Sequence, residues 1–154
     1  MGSHLPRLSI LAAAALAIAA CGSAATPSAA APSASAISIT DAWARPAAAG
    51  GQSAAYFTIS NTSGATDALL SVTSAAAARV ELHETTTNGT GMMGMHPLAR
   101  LEIPASGSVQ LKPGSFHLML MGLTGDLVVG KTIQLDLVFE HGGKVVVTAE
   151  VRRG

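Results

Sequence analysis

Residues 132–151 read TIQLDLVFEHGGKVVVTAEV, and this stretch decides the fold class. Ile133, Leu135, Leu137 and Phe139 alternate with Thr132, Gln134 and Asp136, which puts the apolar set on one face of an extended chain. Val145, Val147, Ala149 and Val151 repeat the pattern, and His141-Gly142-Gly143-Lys144 between the two runs is a hairpin signal. The same period of two recurs upstream over Ile37–Ala44, Ala54–Asn61, Asp67–Ser74, Arg79–Glu84, Met93–Leu98, Ser108–Lys112 and Phe116–Gly122. Turn signals separate these runs at residues 61–64, Asn88-Gly89, residues 105–107 and residues 112–114. Helical periodicity is almost absent; Ala75–Ala78 offers at most one helical turn, too short to change the class. The expectation is an all-β domain, an antiparallel sandwich or barrel.

Composition narrows the function. Nine Lys+Arg balance nine Asp+Glu. A nucleic-acid binder needs a cationic excess against phosphate, and a polybasic membrane-surface segment needs one against lipid. Apolar residues make up 49% of the chain, which argues against disorder throughout. Aromatics are only 3%, so the core must come from Val, Leu, Ile and Ala. Cys21 is the single cysteine, so no intramolecular disulfide can form.

Residues 8–20 read LSILAAAALAIAA, thirteen uncharged and mostly apolar residues. A membrane span needs about 20; thirteen after Arg7 fits the apolar region of a secretory signal. Ile18-Ala19-Ala20-Cys21 follows, and small residues before a cysteine resemble a bacterial lipoprotein signal. Residues 1–21 are therefore read as a lipoprotein-type signal peptide with Cys21 as the lipidation site. Residues 22–36, rich in Ala, Ser and Pro and without charge, read as a disordered tether. Residues 37–154 form the folded domain. The expected location is extracytoplasmic, anchored to the membrane by lipid, or periplasmic or secreted if Cys21 is not modified.

The chemistry gathers in Phe116-His117-Leu118-Met119-Leu120-Met121. Phe116, Leu118 and Leu120 form a core stripe, so His117, Met119 and Met121 face away from it. Two residues apart on a strand puts His117 and Met119 about 6.6 Å from each other at Cα. Upstream, His83 lies opposite Val80 and Leu82, while Met93 and Met95 share a face. Thioether sulfur is soft and selects Cu(I), and imidazole also suits copper. Outside the cytoplasm thiolates oxidise, whereas a thioether has no proton to lose and forms no disulfide. Two histidines with two or three methionines therefore describe a thiol-free Cu(I) site. A zinc site would use Cys, His or carboxylate. Any lone Met is usually a core filler, and only the repetition of His with Met on two strands favours metal. His96 should point to the opposite face from Met95, and His141 lies in the hairpin turn. Glu81 and Glu84 read as solvated strand positions, the usual fate of charges on a sheet.

The chain resembles the PCuAC-type periplasmic copper chaperones. The resemblance rests on residues 41–45 (DAWAR), 55–61 (AYFTISN), 80–85 (VELHET), 93–95 (MGM) and 111–123 (LKPGSFHLMLMGL), and it spans about residues 37–151. The family's ligands follow the order His, ten residues, Met, twenty-one residues, His, one residue, Met. Here Met95 and His117 leave twenty-one residues between them, and Met119 completes the run. His83 and Met95 leave eleven, one residue long, assigned to the Thr85–Gly91 loop. That departure keeps Met93 open as a partner for His83. The resemblance implies a cupredoxin-like sandwich and one Cu(I) per domain. Its expected ligands are His83, Met95, His117 and Met119, with Met93 and Met121 as auxiliary candidates. It also implies delivery to the copper centres of a terminal oxidase, through a copper-accepting oxidase subunit or another copper chaperone.

Other classes fit the sequence less well. A blue-copper electron carrier needs a Cys thiolate, and Cys21 lies outside the domain. A copper storage or resistance protein would share the ligands. A structural or adhesive lipoprotein with an Ig-like sandwich would scatter the sulfurs through its core. No nucleophilic arrangement is readable, so the chain is not expected to be an enzyme.

Overall fold

The computed structural model describes residues 36–154. The expected signal peptide, the tether up to residue 35 and Cys21 lie outside the described residues. Ten strands follow one another: β1 Ile37–Ala44, β2 Gln52–Asn61, β3 Asp67–Thr73, β4 Ala77–Thr87, β5 Met93–Pro97, β6 Leu101–Ile103, β7 Gly107–Gln110, β8 Phe116–Leu123, β9 Thr132–Phe139 and β10 Gly143–Val151. They form one hydrogen-bonded path in the order β5-β4-β8-β2-β1-β10-β9-β3-β6, with β7 on the far half of β2. Near the two ends of the path β3 comes back against β4, which closes it round a single core.

The period of two is visible in burial. Ile133, Leu135, Leu137 and Phe139 are all buried on β9, and Val147, Ala149 and Val151 are buried on β10 beside them. Their hairpin pairs Gly143 with Phe139 and continues in register to Glu150 opposite Thr132. Ala55, Phe57 and Ile59 of β2 and Leu118 and Leu120 of β8 complete the opposite wall. Burying one such Leu or Ile contributes roughly 1.5–3 kcal/mol, so an aliphatic core suffices without many aromatics.

Three features differ from the sequence reading. β6 is a tenth strand: Leu-Glu-Ile alternates over only three residues, too short a run to register, and it is fixed by pairing with β3. β4 runs on to Thr87 rather than stopping at Glu84. Thr85, Thr86 and Thr87 are β-branched and pair with β5, so the extra residue between His83 and Met95 sits in a hairpin tip shorter than the Thr85–Gly91 loop. Finally, the sandwich is not wholly antiparallel. β1 pairs parallel to β10 at Trp43 and Ala44. It reaches that position through a bulge between Thr40 and Trp43, where Asp41 takes φ of 54°.

Candidate metal centre

The site is built from a turn and a register. Ser115 N–H donates to the Lys112 carbonyl at 3.1 Å, closing the turn Lys112-Pro113-Gly114-Ser115. Proline pre-sets the second position and Gly114, at φ of 77°, supplies the left-handed third. The turn aims the Ser115 carbonyl at two donors: the Thr85 backbone N–H at 3.1 Å and His117 Nδ1 at 3.0 Å. A carbonyl only accepts, so His117 carries its proton on Nδ1 and keeps the lone pair on Nε2. His117 is 5% exposed although its strand turns it away from the core.

β4 lies antiparallel to β8 with His83 opposite His117, Glu81 opposite Met119 and Arg79 opposite Met121. The two imidazole centroids are 5.7 Å apart and their planes are tilted by 54°. Two imidazoles on one ion, each about 2 Å from it through nitrogen, have centroids about 6 Å apart or less. His83 Nε2 lies 3.0 Å from Glu81 Oε2, and Arg79 Nε lies 3.0 Å from Glu81 Oε1. The hydrogen bond from His83, helped by Arg79 against some desolvation, holds the Glu81 carboxyl below the usual carboxylate range. An ionised carboxylate only accepts, which puts the His83 proton on Nε2. His83 Nδ1 is then left buried with no hydrogen-bond partner. Such an orphan costs roughly 1–3 kcal/mol, comparable to what the burial of Leu118 alone returns.

The sulfurs divide into two groups. Met95 and Met119 line the same pocket of about 240 Å³ as His117, together with Arg45, Ala54, Tyr56, Thr85, Pro113 and Gly114. Met95 pairs with Thr85, two residues from His83, and so shares its face. His83 is not among the residues that line this pocket; its ring meets it only through its neighbour His117. Met93 pairs with Thr87 one rung further out and is 67% exposed, outside the pocket lining. Met121 is also outside the lining, and an Arg79 guanidinium nitrogen approaches its sulfur at 3.6 Å. His96 and His141 are both exposed.

The donor set is soft. Among the described residues no three His, Cys, Asp or Glu side chains gather at one point. Two imidazoles beside two thioethers suit Cu(I).

Glu81 is more than the solvated strand position expected: its side chain is 33% exposed, and its carboxylate is also the partner of His83. The signal was present, since Glu81 and His83 are two residues apart and must share a face. Arg45 and Tyr56 were not expected at the pocket. Tyr56 stacks on Trp43 at 4.6 Å between ring centroids, with Arg45 over Tyr56 and Arg152 over Trp43. Burial pushes the Tyr56 phenol up, and Arg45 opposes it less strongly. No local pattern announces that ladder, which is made by the β1–β2 register and the chain end.

The family model described as "Putative lipoprotein LpqE-like" matches residues 37–151. The chain belongs to the LpqE-like family. A Leifsonia xyli subsp. xyli protein that carries a lipoprotein name is 34% identical over 116 residues, covering 75% of this chain and 69% of that one. The copper-bound PCuAC domain from PmoF2 superposes with a TM-score of 0.65 at 25% identity, over 77% of this LpqE-like chain and 94% of that domain. The Cu(I) form of DR1885 from Deinococcus radiodurans gives 0.58 at 34% identity, over 75% of this chain and 79% of that one. The expected kinship with the PCuAC-type copper chaperones therefore holds, and so does the cupredoxin-like sandwich.

Proposed function

We propose that this LpqE-like chain is an extracytoplasmic Cu(I) carrier holding one ion between His83, Met95, His117 and Met119. The observation that carries the reading is the buried, partnerless Nδ1 of His83 beside His117, which shares its pocket with Met95 and Met119. Copper is cargo here. Two imidazoles and two thioethers bring no negative charge of their own, the Glu81 carboxylate beside His83 is already paired with Arg79, and Arg45 adds a positive charge to the pocket lining. A divalent ion would meet no compensating anion among these ligands, whereas a soft monovalent ion needs less. Met95 is 57% exposed, so a partner can replace it first and take the ion by stepwise exchange. The copper-bound relatives support this reading.

The finer reading is delivery to the copper centres of a terminal oxidase, directly or through another copper chaperone. It follows from the family resemblance, as does a role in transport rather than catalysis. The reading of residues 37–154 as the folded domain is supported by β1 and by the family match, which both start at Ile37. The lipoprotein name of the Leifsonia relative supports a lipid anchor at Cys21. Cys21→Ser should shift the protein from the membrane to the soluble fraction.

The test is anaerobic Cu(I) titration against a competing chelator. One tight equivalent is expected, lost in His117→Ala and weakened in Met119→Ala. Equal affinity in all three proteins would end the carrier reading.

A further inference from the structure

We propose that Glu81 selects the nitrogen through which His83 meets copper, so that the two imidazoles bind through unlike atoms: His83 through Nδ1 and His117 through Nε2. The proposal rests on the Cu(I) site argued above and deepens it.

His83 and His117 are directly opposite on adjacent antiparallel strands and share a face. By symmetry of that pair alone they would offer like nitrogens. What distinguishes them is the anchor, in each case two residues earlier in the chain. For His117 the anchor is the Ser115 backbone carbonyl, which sits close to the main chain and meets the near nitrogen, Nδ1. For His83 it is the Glu81 side chain, long enough to meet the far nitrogen, Nε2. Both anchors accept only, so each fixes one tautomer and leaves the opposite nitrogen bare. Glu81 is itself braced: Arg79 holds its other oxygen at 3.0 Å. The same Arg79 lies 3.6 Å from the Met121 sulfur, engaging that thioether away from the pocket.

The arrangement stores an unmet demand. His83 Nδ1 is buried without a partner, and coordination is the one interaction that an unprotonated ring nitrogen there can gain beyond a hydrogen bond. Glu81 is thus a positioning residue, and outer partners of this kind are worth about 10–100-fold in metal affinity. Without it His83 is free to move its proton to Nδ1, blocking the donor atom.

The experiment is long-range nitrogen–proton NMR of the isotopically labelled full chain at neutral pH, before and after anaerobic addition of one equivalent of Cu(I). The copper-free protein should show His83 protonated on Nε2 and His117 on Nδ1. Cu(I) should then move the His83 Nδ1 and His117 Nε2 resonances. A copper-free His83 protonated on Nδ1, or a copper-induced shift larger at its Nε2 than at its Nδ1, would overturn the proposal and leave the carrier reading intact. A Cu(I) addition that moved neither ring would overturn both. Glu81→Ala should mix the His83 tautomers and lower Cu(I) affinity by about 10–100-fold. Glu81→Gln keeps an acceptor oxygen and should retain the tautomer with a smaller loss. Unchanged tautomer and affinity in Glu81→Ala would remove Glu81 from the role. Should that variant fail to melt cooperatively, the wild-type and Glu81→Gln spectra decide.

Discussion

Two carboxylates in this sandwich each sit next to a histidine, and they do opposite things. Asp67, at the start of β3, is 4% exposed and accepts the backbone N–H groups of Ala68, His141 and Gly142 at 2.7–2.9 Å. Both its oxygens are hydrogen-bonded to backbone, and the result is a fixed β9–β10 turn beside an exposed His141. Glu81, on β4, is partly open to solvent and spends one oxygen on His83 and the other on Arg79. There the satisfied atom is on the outside of the ring and the bare one is buried. A carboxylate bonded to backbone N–H groups holds the chain together; one that leaves its partner short of a bond frees a ring nitrogen for the proposed ion.

The largest effect should come from breaking the unsatisfied end. His117→Ala and His83→Ala should each lower Cu(I) affinity by more than the roughly 100-fold that bounds outer-shell partners. Thermal unfolding of copper-free His83→Ala should nevertheless stay within about 1 kcal/mol of wild type, because the substitution also removes a buried orphan. A large loss of stability there would erase the contrast with Asp67.

Asp67→Ala should show the reverse. Removing a charged acceptor from three backbone donors should cost about 2–3 kcal/mol in denaturant unfolding, with Cu(I) affinity unchanged. A smaller and sharper version uses acid. Burial alone would raise the Asp67 pKa, but the His141, Ala68 and Gly142 N–H groups outweigh it and hold it below the usual value. Its contribution is therefore full above the ordinary carboxylate value of about 3.9, and is lost as pH falls through the depressed folded value. The melting temperature should fall on acidification below about pH 4, and Asp67→Asn should flatten that fall.

The smallest effects separate the sulfurs. Met119→Ala should cost more Cu(I) affinity than Met93→Ala or Met121→Ala, and the latter two should change it by less than about 3-fold, or 0.6 kcal/mol. An equal loss at Met93 would move the ligand one rung outward along β5.

Much of this was legible in one dimension, and the reason is the period of a strand. Alternation in residues 132–151 and 116–121 dictates which side chains share a face, because successive residues of an extended chain point to opposite sides. It therefore placed Ile133 to Phe139 inside and put His117 with Met119. The same rule pairs Glu81 with His83, because a charge on a sheet face can bind a neighbour as well as water. What the period cannot say is which strands become neighbours, or in what register. β4 beside β8, His83 opposite His117, Met95 rather than Met93 over the pocket, and the bulge that lets β1 run parallel to β10 are set by long-range hydrogen bonding and the closure of the core. Composition and alternation are enough for the donor chemistry and the face each donor occupies. Which candidate donors become neighbours, and which ring nitrogen is left bare, depends on partners distant along the chain and so on the folded arrangement.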